Sequence, residues 1–443
     1  MEKPGNRRPI LLRNGKLVLP GRVETGDLLV EGDRIVALGE VPGPADADLV
    51  DLGGDFLVAG FIDIHHHGAL GFDYSLGRYD EANRQFDLEP ETYREGVVRA
   101  LRYFLERGAT RVFPTSLAAP MEDLEVAFSQ IKALVEDPAE PLRGMIGGIN
   151  VEGTFLKLPE YAGAQSPEYF FPPTQAHWNR LKAAAGDLIR LVNLPPEHGA
   201  EGLALIRRLT GQGVVVSAGH TGAEADLMQE AIAAGTRLGV HFFNGPSRSS
   251  SKSFHDGGAE EALLRSDAVS LELIVDGYHV HPAYARDVMA RKGFGRVILI
   301  TDSMFVNGCT AIDRFQLCGV PGAVSANGEY LQVTDRADTL FGSVLTSLRG
   351  FENVVNWLTR PMTGIWHRQH PAYSLEEALV HSSRMASANP ASLMGLDGGE
   401  APTGTLEPGK QADLVRLSIG GGEEGYRLAI KGVWLGGRQL VWG

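Results

Sequence analysis

The sequence predicts an α/β protein, a (β/α)8 TIM barrel with a small β-sandwich domain built from both chain termini. The chain has 443 residues, more than one hydrophobic core usually holds, so a large domain joined to a smaller one is expected. Short apolar strands alternate with helical stretches through the middle of the chain, which favours a parallel sheet with crossover helices. Turn-rich segments of β-forming residues stand at both ends.

Composition narrows the class of protein. Hydrophobic residues make up 43% of the chain and charged residues 22%, as in ordinary folded proteins. The net charge of −14 opposes nucleic acid and membrane surfaces as partners. Two cysteines, Cys309 and Cys318, are too few for a disulfide framework, and no apolar run is long enough for a signal peptide or a membrane span. We therefore expect a cytoplasmic protein with a small-molecule substrate.

The small β domain is predicted from residues 1–58 and 402–443. Its first part contains apolar runs at residues 10–12, 16–19, 27–30 and 34–38, separated by turns such as Asn14-Gly15. The same texture returns in residues 411–417 and 433–441. Residues 59–401 are left for the barrel.

Eight strand candidates can be counted in the barrel region, with room for a helix or loop between successive strands. They are residues 61–64, 111–115, 145–151, 188–193, 214–218, 237–241, 271–275 and 297–301.

The connections between these strands are of two kinds. After the fifth strand, Thr221 and Glu224 have the spacing of a capping box, and Gly235 stands where the helix should end. Residues 73–91, 161–178 and 305–338 are less regular and long enough to be functional loops over the barrel mouth.

The most informative segment is residues 60–68, which reads GFIDIHHHG. Alternation along a strand places His65 and His67 on one side and His66 on the other. At the carboxyl end of a first barrel strand, two neutral imidazoles would face the active-site mouth and could ligate a divalent metal. A run of surface histidines or a tag remnant is the alternative, but tags stand at termini and this run follows an apolar strand.

Other strand ends also carry residues of the types that bind metals. Glu152 follows the third strand, His220 the fifth, His241 the sixth, His279 the seventh and Asp302 the eighth. Taken singly, each histidine is about as likely to be a hydrogen-bonded scaffold residue, and a lone Asp or Glu after a strand is more often a helix cap. Because they recur at equivalent positions, we expect one common site.

A plausible assembly has one or two ions. Glu152, His220 and His241 would hold one metal and leave a position for water, as catalytic metals require. His65, His67 and Asp302 would face a second position, which Glu152 could bridge.

At these positions the chain resembles the amidohydrolase superfamily, and more closely its N-acetylglucosamine-6-phosphate deacetylase branch. The resemblance covers nearly the whole chain. It lies in the segments 60–68, 151–155, 219–220, 241–244, 276–280, 301–302, 339–343 and 404–415.

The resemblance implies a role for each matching residue. It implies metal ligation by the three residues of the first assembly, a possible second site at His65 and His67, and proton transfer by Asp302. His279 would touch the substrate, and Asn244 and Gly245 would offer it backbone groups. It also implies a homodimer. Zinc is the expected metal, although iron, manganese and cobalt suit the same ligands.

Three departures from the family pattern concern the substrate. Gln165 stands where the family places a substrate-contacting histidine, so either Gln165 replaces that histidine or the loop is rebuilt. In place of the usual phosphate-binding arginine the chain has a serine-rich segment in which Arg248, Lys252 or His255 would serve, unless it is a plain solvated loop. The aromatic residues between Tyr161 and Trp178 would stack on a sugar or pack in the core.

The resemblance implies deacetylation of an N-acetylated amino sugar to the free amine and acetate, with N-acetylglucosamine-6-phosphate as the first candidate substrate. A bound metal would activate water, and Asp302 would accept its proton and pass it to the leaving amine. One alternative is an amidohydrolase acting on another amide, either an N-acyl amino acid or a cyclic amide. The other is a catalytically silent barrel used for binding.

Overall fold

The computed structural model describes residues 7–244, 248–252, 256–366, 368–422 and 424–442. Its strands are β1 (Ile10–Leu19), β2 (Arg22–Glu31), β3 (Arg34–Gly39), β4 (Asp48–Asp51), β5 (Phe56–Ala59), β6 (Phe61–His66), β7 (Gly68–Ala69), β8 (Phe72–Asp73), β9 (Gly77–Asp80), β10 (Gln85–Asp87), β11 (Ala109–Pro114), β12 (Ile149–Val151), β13 (Ile189–Asn193), β14 (Val215–Ala218), β15 (Thr236–Gly239), β16 (Ser270–Ile274), β17 (Val297–Ile300), β18 (Arg314–Leu317), β19 (Val320–Val324), β20 (Leu331–Val333), β21 (Leu414–Gly422), β22 (Gly425–Leu435) and β23 (Arg438–Trp442). Its helices are α1 (Pro90–Leu105), α2 (Met121–Glu136), α3 (Gln175–Ala185), α4 (Gly199–Gly211), α5 (Ala225–Ala234), α6 (Ala259–Arg265), α7 (Pro282–Lys292), α8 (Ser347–Leu358), α9 (Leu375–Ser383) and α10 (Asn389–Leu393).

The predicted barrel is confirmed, and each predicted barrel strand has its counterpart among β6, β11 and β12 to β17. Strands β12 to β17 form one parallel sheet in chain order, and β11 pairs in parallel with β6. A bridge between Thr115 and Asn150 joins β11 to β12. On the other side, the Asp302 N–H donates to the His65 carbonyl at 2.9 Å and the Thr301 hydroxyl to Asp63 at 2.6 Å. These contacts close the sheet, so the carboxyl ends of the strands share one mouth.

The barrel strands are apolar because both of their faces are covered. Every residue of β6, β16 and β17 is buried. Helices on the outside of a parallel sheet and packed side chains inside it produce this pattern. A polar side chain within such a strand therefore has to find a partner in the interior.

Both chain ends form the small β domain. Its sheet has the strand order β23-β22-β21-β5-β1-β2-β3, with β4 beside β1. The two ends meet where β21 pairs antiparallel with β5, from Leu414 opposite Ala59 to Leu417 opposite Phe56. A separate hydrophobic core, which includes Trp434, lies under this sheet. The domain boundaries after residues 58 and 401 stay a prediction.

The predicted loops over the barrel mouth carry short antiparallel sheets. Strands β7 to β10 form one such sheet and β18 to β20 another. The remaining stretch, residues 161–178, begins at the end of the 3-10 turn Pro159–Tyr161, contains the 3-10 turn Pro167–Tyr169 and runs into the first turn of α3. Trp178 of α3 is 2% exposed, so this ring packs in the core and does not offer a surface for stacking on a sugar.

The helix after the fifth strand is present, but its predicted capping box is wrong. The Thr221 hydroxyl donates to Glu197 at 2.5 Å and accepts the Ala223 N–H at 3.1 Å. The helix α5 therefore begins only at Ala225, after Glu224, and it ends before Gly235 at φ 135° as predicted. The Glu197 carboxylate accepts from both the Thr221 hydroxyl and the Gly222 N–H, so this distant acceptor takes Thr221 away from the local cap.

Two further expectations concern the thiols and the membrane. Cys309 and Cys318 are both free. Across the described residues, none of the helices combines the length and the apolar character needed to cross a bilayer.

Candidate metal centre

Three histidines converge on one carboxylate oxygen at the barrel mouth. Glu152 follows β12, and its Oε1 lies 3.0 Å from His241 Nε2 and 3.4 Å from His220 Nε2. His65 Nε2, on β6, is 3.5 Å from the same oxygen. Two ligand atoms bound to one ion at about 2.1 Å and at the tetrahedral angle lie about 3.4 Å apart. The ligand atoms of His65, Glu152 and His241 therefore lie close enough together to hold one divalent cation, and His220 contacts the same Glu152 oxygen.

A second group of ligand atoms adjoins the first. His67 Nε2 is 3.1 Å from Asp302 Oδ1 and 3.5 Å from Glu152 Oε2. His65 Nε2 is 3.7 Å from Asp302 Oδ1, so His65 belongs to both groups. The alternation predicted for the histidine run is present, because the His66 ring points away and packs on Phe104 at a centroid distance of 4.3 Å.

The other ring nitrogen of each histidine has its own partner. Nδ1 of His67, His220 and His241 lies against the carbonyl oxygens of Thr115 (3.2 Å), Tyr161 (2.9 Å) and Asn244 (2.6 Å), respectively. Carbonyl oxygens only accept hydrogen bonds, so Nδ1 carries a proton, and Nε2 is the nitrogen that can bind a metal when the ring is neutral. This is the tautomer that a metal ligand needs.

The backbone is strained where these side chains enter the mouth. His220 has φ 52°, His241 has φ 21° and Asp302 has φ 52°. Residues other than glycine rarely adopt this left-handed region, at a cost on the order of 1–3 kcal/mol each. The strain turns each side chain from the strand direction into the cavity, and such strain is typical of functional sites.

The electrostatics of the centre favour a positive charge. Burial opposes ionisation of Glu152, but the three surrounding histidines hold its pKa well below the usual range. Burial likewise opposes ionisation of Asp302, whose pKa is lowered by the hydrogen bond to His67. Burial disfavours a charged His65 ring, yet Glu152 and Glu272 raise its pKa well above the ordinary value. The donor set thus has the chemistry of a divalent cation site.

Gln165 reaches the centre through Glu152. Its Nε2 donates to Glu152 Oε2 at 2.8 Å, and its Oε1 accepts the Ala118 N–H at 2.8 Å. The side chain also lines the cavity above the ligands. Gln165 therefore orients the Glu152 carboxylate, which is a proposed metal ligand. Its predicted contact with the substrate stays a prediction.

The cavity above the ligand atoms has a volume of about 430 Å³, enough for a monosaccharide-sized ligand. Asn244, Tyr278 and His279 line its wall. His279 is oriented by Asp276, whose Oδ2 lies 2.7 Å from Nδ1. The Asn244 side-chain nitrogen is buried without a hydrogen-bond partner among the described residues.

The cationic residues predicted for a phosphate lie apart from this cavity. Arg248 turns to Glu224, with Nη2 3.4 Å from Oε1, and Lys252 lines a different, open depression beside Glu261. In the portion of the chain that the structure describes, no arginine or lysine lines the cavity. Gly245 and His255 lie outside the described residues.

Sequence reasoning missed Glu272. It stands in the middle of β16 between Leu271 and Leu273, is fully buried, and contacts both His65 and His241. The signal was available, because a glutamate inside an apolar parallel strand is almost never buried without a partner. Because only the carboxyl ends of the strands were considered, Glu272 was missed.

Comparisons with known proteins agree with this geometry. Residues 56–438 match the model of the amidohydrolase family. The chain is 28% identical to an N-acetylglucosamine-6-phosphate deacetylase of Vibrio furnissii, covering 96% of this chain and 93% of that one. It is 30% identical to an N-acetylgalactosamine-6-phosphate deacetylase of Escherichia coli O157:H7, covering 89% and 90%. A mutant N-acetyl-D-glucosamine-6-phosphate deacetylase from Mycobacterium smegmatis, solved with N-acetyl-D-glucosamine-6-phosphate, superposes with a TM-score of 0.79 at 29% identity, covering 98% and 100%.

Proposed function

The chain belongs to the amidohydrolase family, whose members are metal-dependent hydrolases, and from that premise we propose that it deacetylates an N-acetylated amino sugar. N-Acetylglucosamine-6-phosphate is the first substrate to test, and the products are the free amine and acetate. The observation that carries the proposal is that His220 and His241 both contact Glu152, and that these residues and Asp302 line a cavity large enough for a sugar. The two kinds of sugar phosphate deacetylase among the relatives support the substrate class.

Glu152, His220 and His241 would hold one divalent cation, with His65 and His67 available to a second. When bound, such a cation lowers the pKa of a coordinated water and thereby supplies a nucleophile at neutral pH. Imidazole and carboxylate ligands suit zinc, which we propose, as well as iron, manganese and cobalt.

Asp302 is the proposed proton carrier. Its carboxylate lines the cavity, and its lowered pKa keeps it ionised near neutral pH, ready to accept a proton. Oδ1 is held by His67, which fixes the orientation of the carboxylate. The proton accepted during attack on the amide would pass to the nitrogen of the leaving amine, because an amine leaves only when protonated.

Two wall residues are proposed to hold the acetyl group and the sugar. His279 has Nδ1 occupied by Asp276, which leaves Nε2 for a ligand. The unpartnered Asn244 side-chain nitrogen is a donor that a sugar hydroxyl or a carbonyl would satisfy. Both contacts become strong only when water is displaced from the cavity.

The phosphate group is the open part of the proposal. We propose Arg248 and Lys252 for it, because they belong to the segment that follows the cavity residue Asn244. A second candidate substrate is the same amino sugar without phosphate. It is favoured by one observation, that no arginine or lysine of the described residues lines the cavity.

Acetate release separates these candidates. Zinc-reconstituted protein is assayed with N-acetylglucosamine-6-phosphate, N-acetylgalactosamine-6-phosphate, both sugars without phosphate, and an N-acetyl amino acid. We expect turnover of an amino sugar phosphate, with a large loss when the phosphate is absent. Equal turnover with and without phosphate would select the second candidate, and turnover of the amino acid alone would reject both.

We further propose that the protein is a cytoplasmic homodimer. Ile365 and Trp366 are 53% and 50% exposed, and Trp366 lies 5.8 Å from the ring of the cavity residue Phe243. Exposed apolar side chains grouped with Tyr284 beside a site are typical of a contact surface. Sedimentation of the wild type and of Trp366→Ser tests this, since a dimer should dissociate in the variant.

A further inference from the structure

We propose that Glu272 is a positioning residue of the metal centre. One carboxylate oxygen, Oε2, would set the ring of His65 and the backbone of His241, so that both Nε2 atoms meet at the same cation. Glu272 would not bind the cation itself, because it approaches His65 from Nδ1, the nitrogen on the far side of the ring. The inference rests on the metal centre of the proposed function.

The burial of Glu272 needs a reason. The residue is 0% exposed, and its partners through Oε2 are the His241 N–H at 3.0 Å and His65 Nδ1 at 3.1 Å. No arginine or lysine of the described ranges forms an ion pair with it. Oε1 is buried and makes no hydrogen bond within those ranges. An apolar residue would fill this place in a strand at lower cost, so the carboxylate has a task beyond packing.

The first part of that task concerns His65. A carboxylate on Nδ1 fixes the tautomer, orients the ring and makes Nε2 a stronger ligand. His65 Nε2 makes no hydrogen bond within the described residues and lies 3.5 Å from Glu152 Oε1. Of the four histidines at the centre, His65 alone has a carboxylate behind it, whereas the other three have backbone carbonyls.

The second part concerns His241. Its backbone has φ 21°, and its N–H is tied to Glu272 Oε2. The same oxygen therefore contacts a strained strand end after β15 and a ring on β6. The ring centroids of His65 and His241 are 5.3 Å apart. Because one atom sets both ligands, their relative position does not depend on two separate supports.

The test measures metal affinity rather than turnover. Wild type, Glu272→Gln, Glu272→Asp and the control Glu140→Gln are titrated with Zn²⁺ against a chromogenic chelator, and the Co²⁺ forms are compared by visible absorption. Glu272→Gln keeps the shape and can still accept the His241 N–H, but it loses the charge behind His65. Glu272→Asp keeps the charge, but its shorter side chain moves the carboxylate away from His65 and from the His241 N–H. Glu140 is 8% exposed and bonds the Leu142 N–H away from the centre, so it controls for loss of a buried glutamate.

We expect both Glu272 variants to bind Zn²⁺ about 10–100-fold more weakly and to shift the Co²⁺ absorption, with Glu140→Gln unchanged. In a His65→Asn background, Glu272→Gln should cost less than in the wild type, because the two residues act together. Affinity within twofold of wild type in either Glu272 variant, or a full additional loss in the His65→Asn background, would overturn the proposal. If Glu272→Gln does not fold, the Glu272→Asp titration decides. A wild type that binds no Zn²⁺ would instead reject the metal centre itself.

Discussion

Two buried acidic sites in this molecule are neutralised in different ways. Where the terminal sheet meets the barrel, Asp413 is 2% exposed, forms an ion pair with the Arg111 guanidinium at 3.1 Å and accepts the Gly436 N–H at 2.8 Å. At the barrel mouth, Glu152 and Asp302 are comparably buried, but the side chains that face them closely are histidines and Gln165. The junction is neutralised by the chain itself. The mouth is built so that a ligand completes it.

The backbone shows the same difference. His220, His241 and Asp302 at the mouth stand in the left-handed region, whereas Arg111 and Asp413 at the junction do not. Strain of this kind persists only where surrounding contacts enforce it. The junction therefore serves stability and the mouth serves function. Substitutions at the junction should lower the free energy of unfolding, whereas substitutions at the mouth should lower activity.

The largest effect is expected from Asp302→Asn at the mouth. Loss of the proton carrier should lower kcat by about 10²–10⁴-fold while the protein still folds and binds zinc. Turnover is followed by acetate release and metal content by elemental analysis, with the exposed Asp187→Asn as control. A kcat near that of the wild type would remove Asp302 from the proposed role.

At the junction, Asp413→Asn should affect stability and leave the chemistry intact. The substitution places an amide against the Arg111 charge, and breaking a buried pair of this kind costs about 3 kcal/mol. Urea unfolding of metal-loaded protein measures the loss, and kcat should stay within about twofold. If kcat fell as it does for Asp302→Asn, the contrast between the two sites would be lost.

Zinc itself should distinguish the sites. Because the cation binds the folded mouth, free zinc at about 100 times Kd should raise the free energy of unfolding by about 2.7 kcal/mol. The same increment is expected in Asp413→Asn, whose mouth is unchanged, and little or none in His220→Ala. Thermal unfolding with and without zinc gives all three values. An increment in His220→Ala equal to that of the wild type would place the cation elsewhere.

The smallest effect is expected from Gln165→Ala, which tests how Glu152 is oriented at the mouth. Gln165→Ala leaves Glu152 Oε2 and the Ala118 N–H without the hydrogen bonds seen in the structure, so zinc affinity should fall about tenfold. Chelator competition measures the affinity, and the exposed Gln175→Ala is the control. Unchanged affinity together with a raised KM would assign Gln165 to the substrate instead.

Much of the fold could be predicted because its signals are local. Apolar runs and the spacing between them identified all of the barrel strands, and the β-rich chain ends identified the terminal sheet. The capping box at Thr221 failed for the opposite reason. Glu197, which takes the Thr221 hydroxyl, lies 24 residues earlier, and no local pattern announces that contact.

The candidate site likewise has features that local sequence predicts and features that depend on the tertiary structure. The period of two along a strand places His65 and His67 together and His66 apart, a property of neighbouring residues that the sequence alone determines. Only closure of the barrel decides that His65 meets Glu272, which is 207 positions away, and that Gln165 engages Glu152 while Arg248 turns to Glu224. Strand alternation follows from covalent geometry. Distances between atoms on distant strands depend on the register, tilt and closure of the whole sheet, which no short segment encodes.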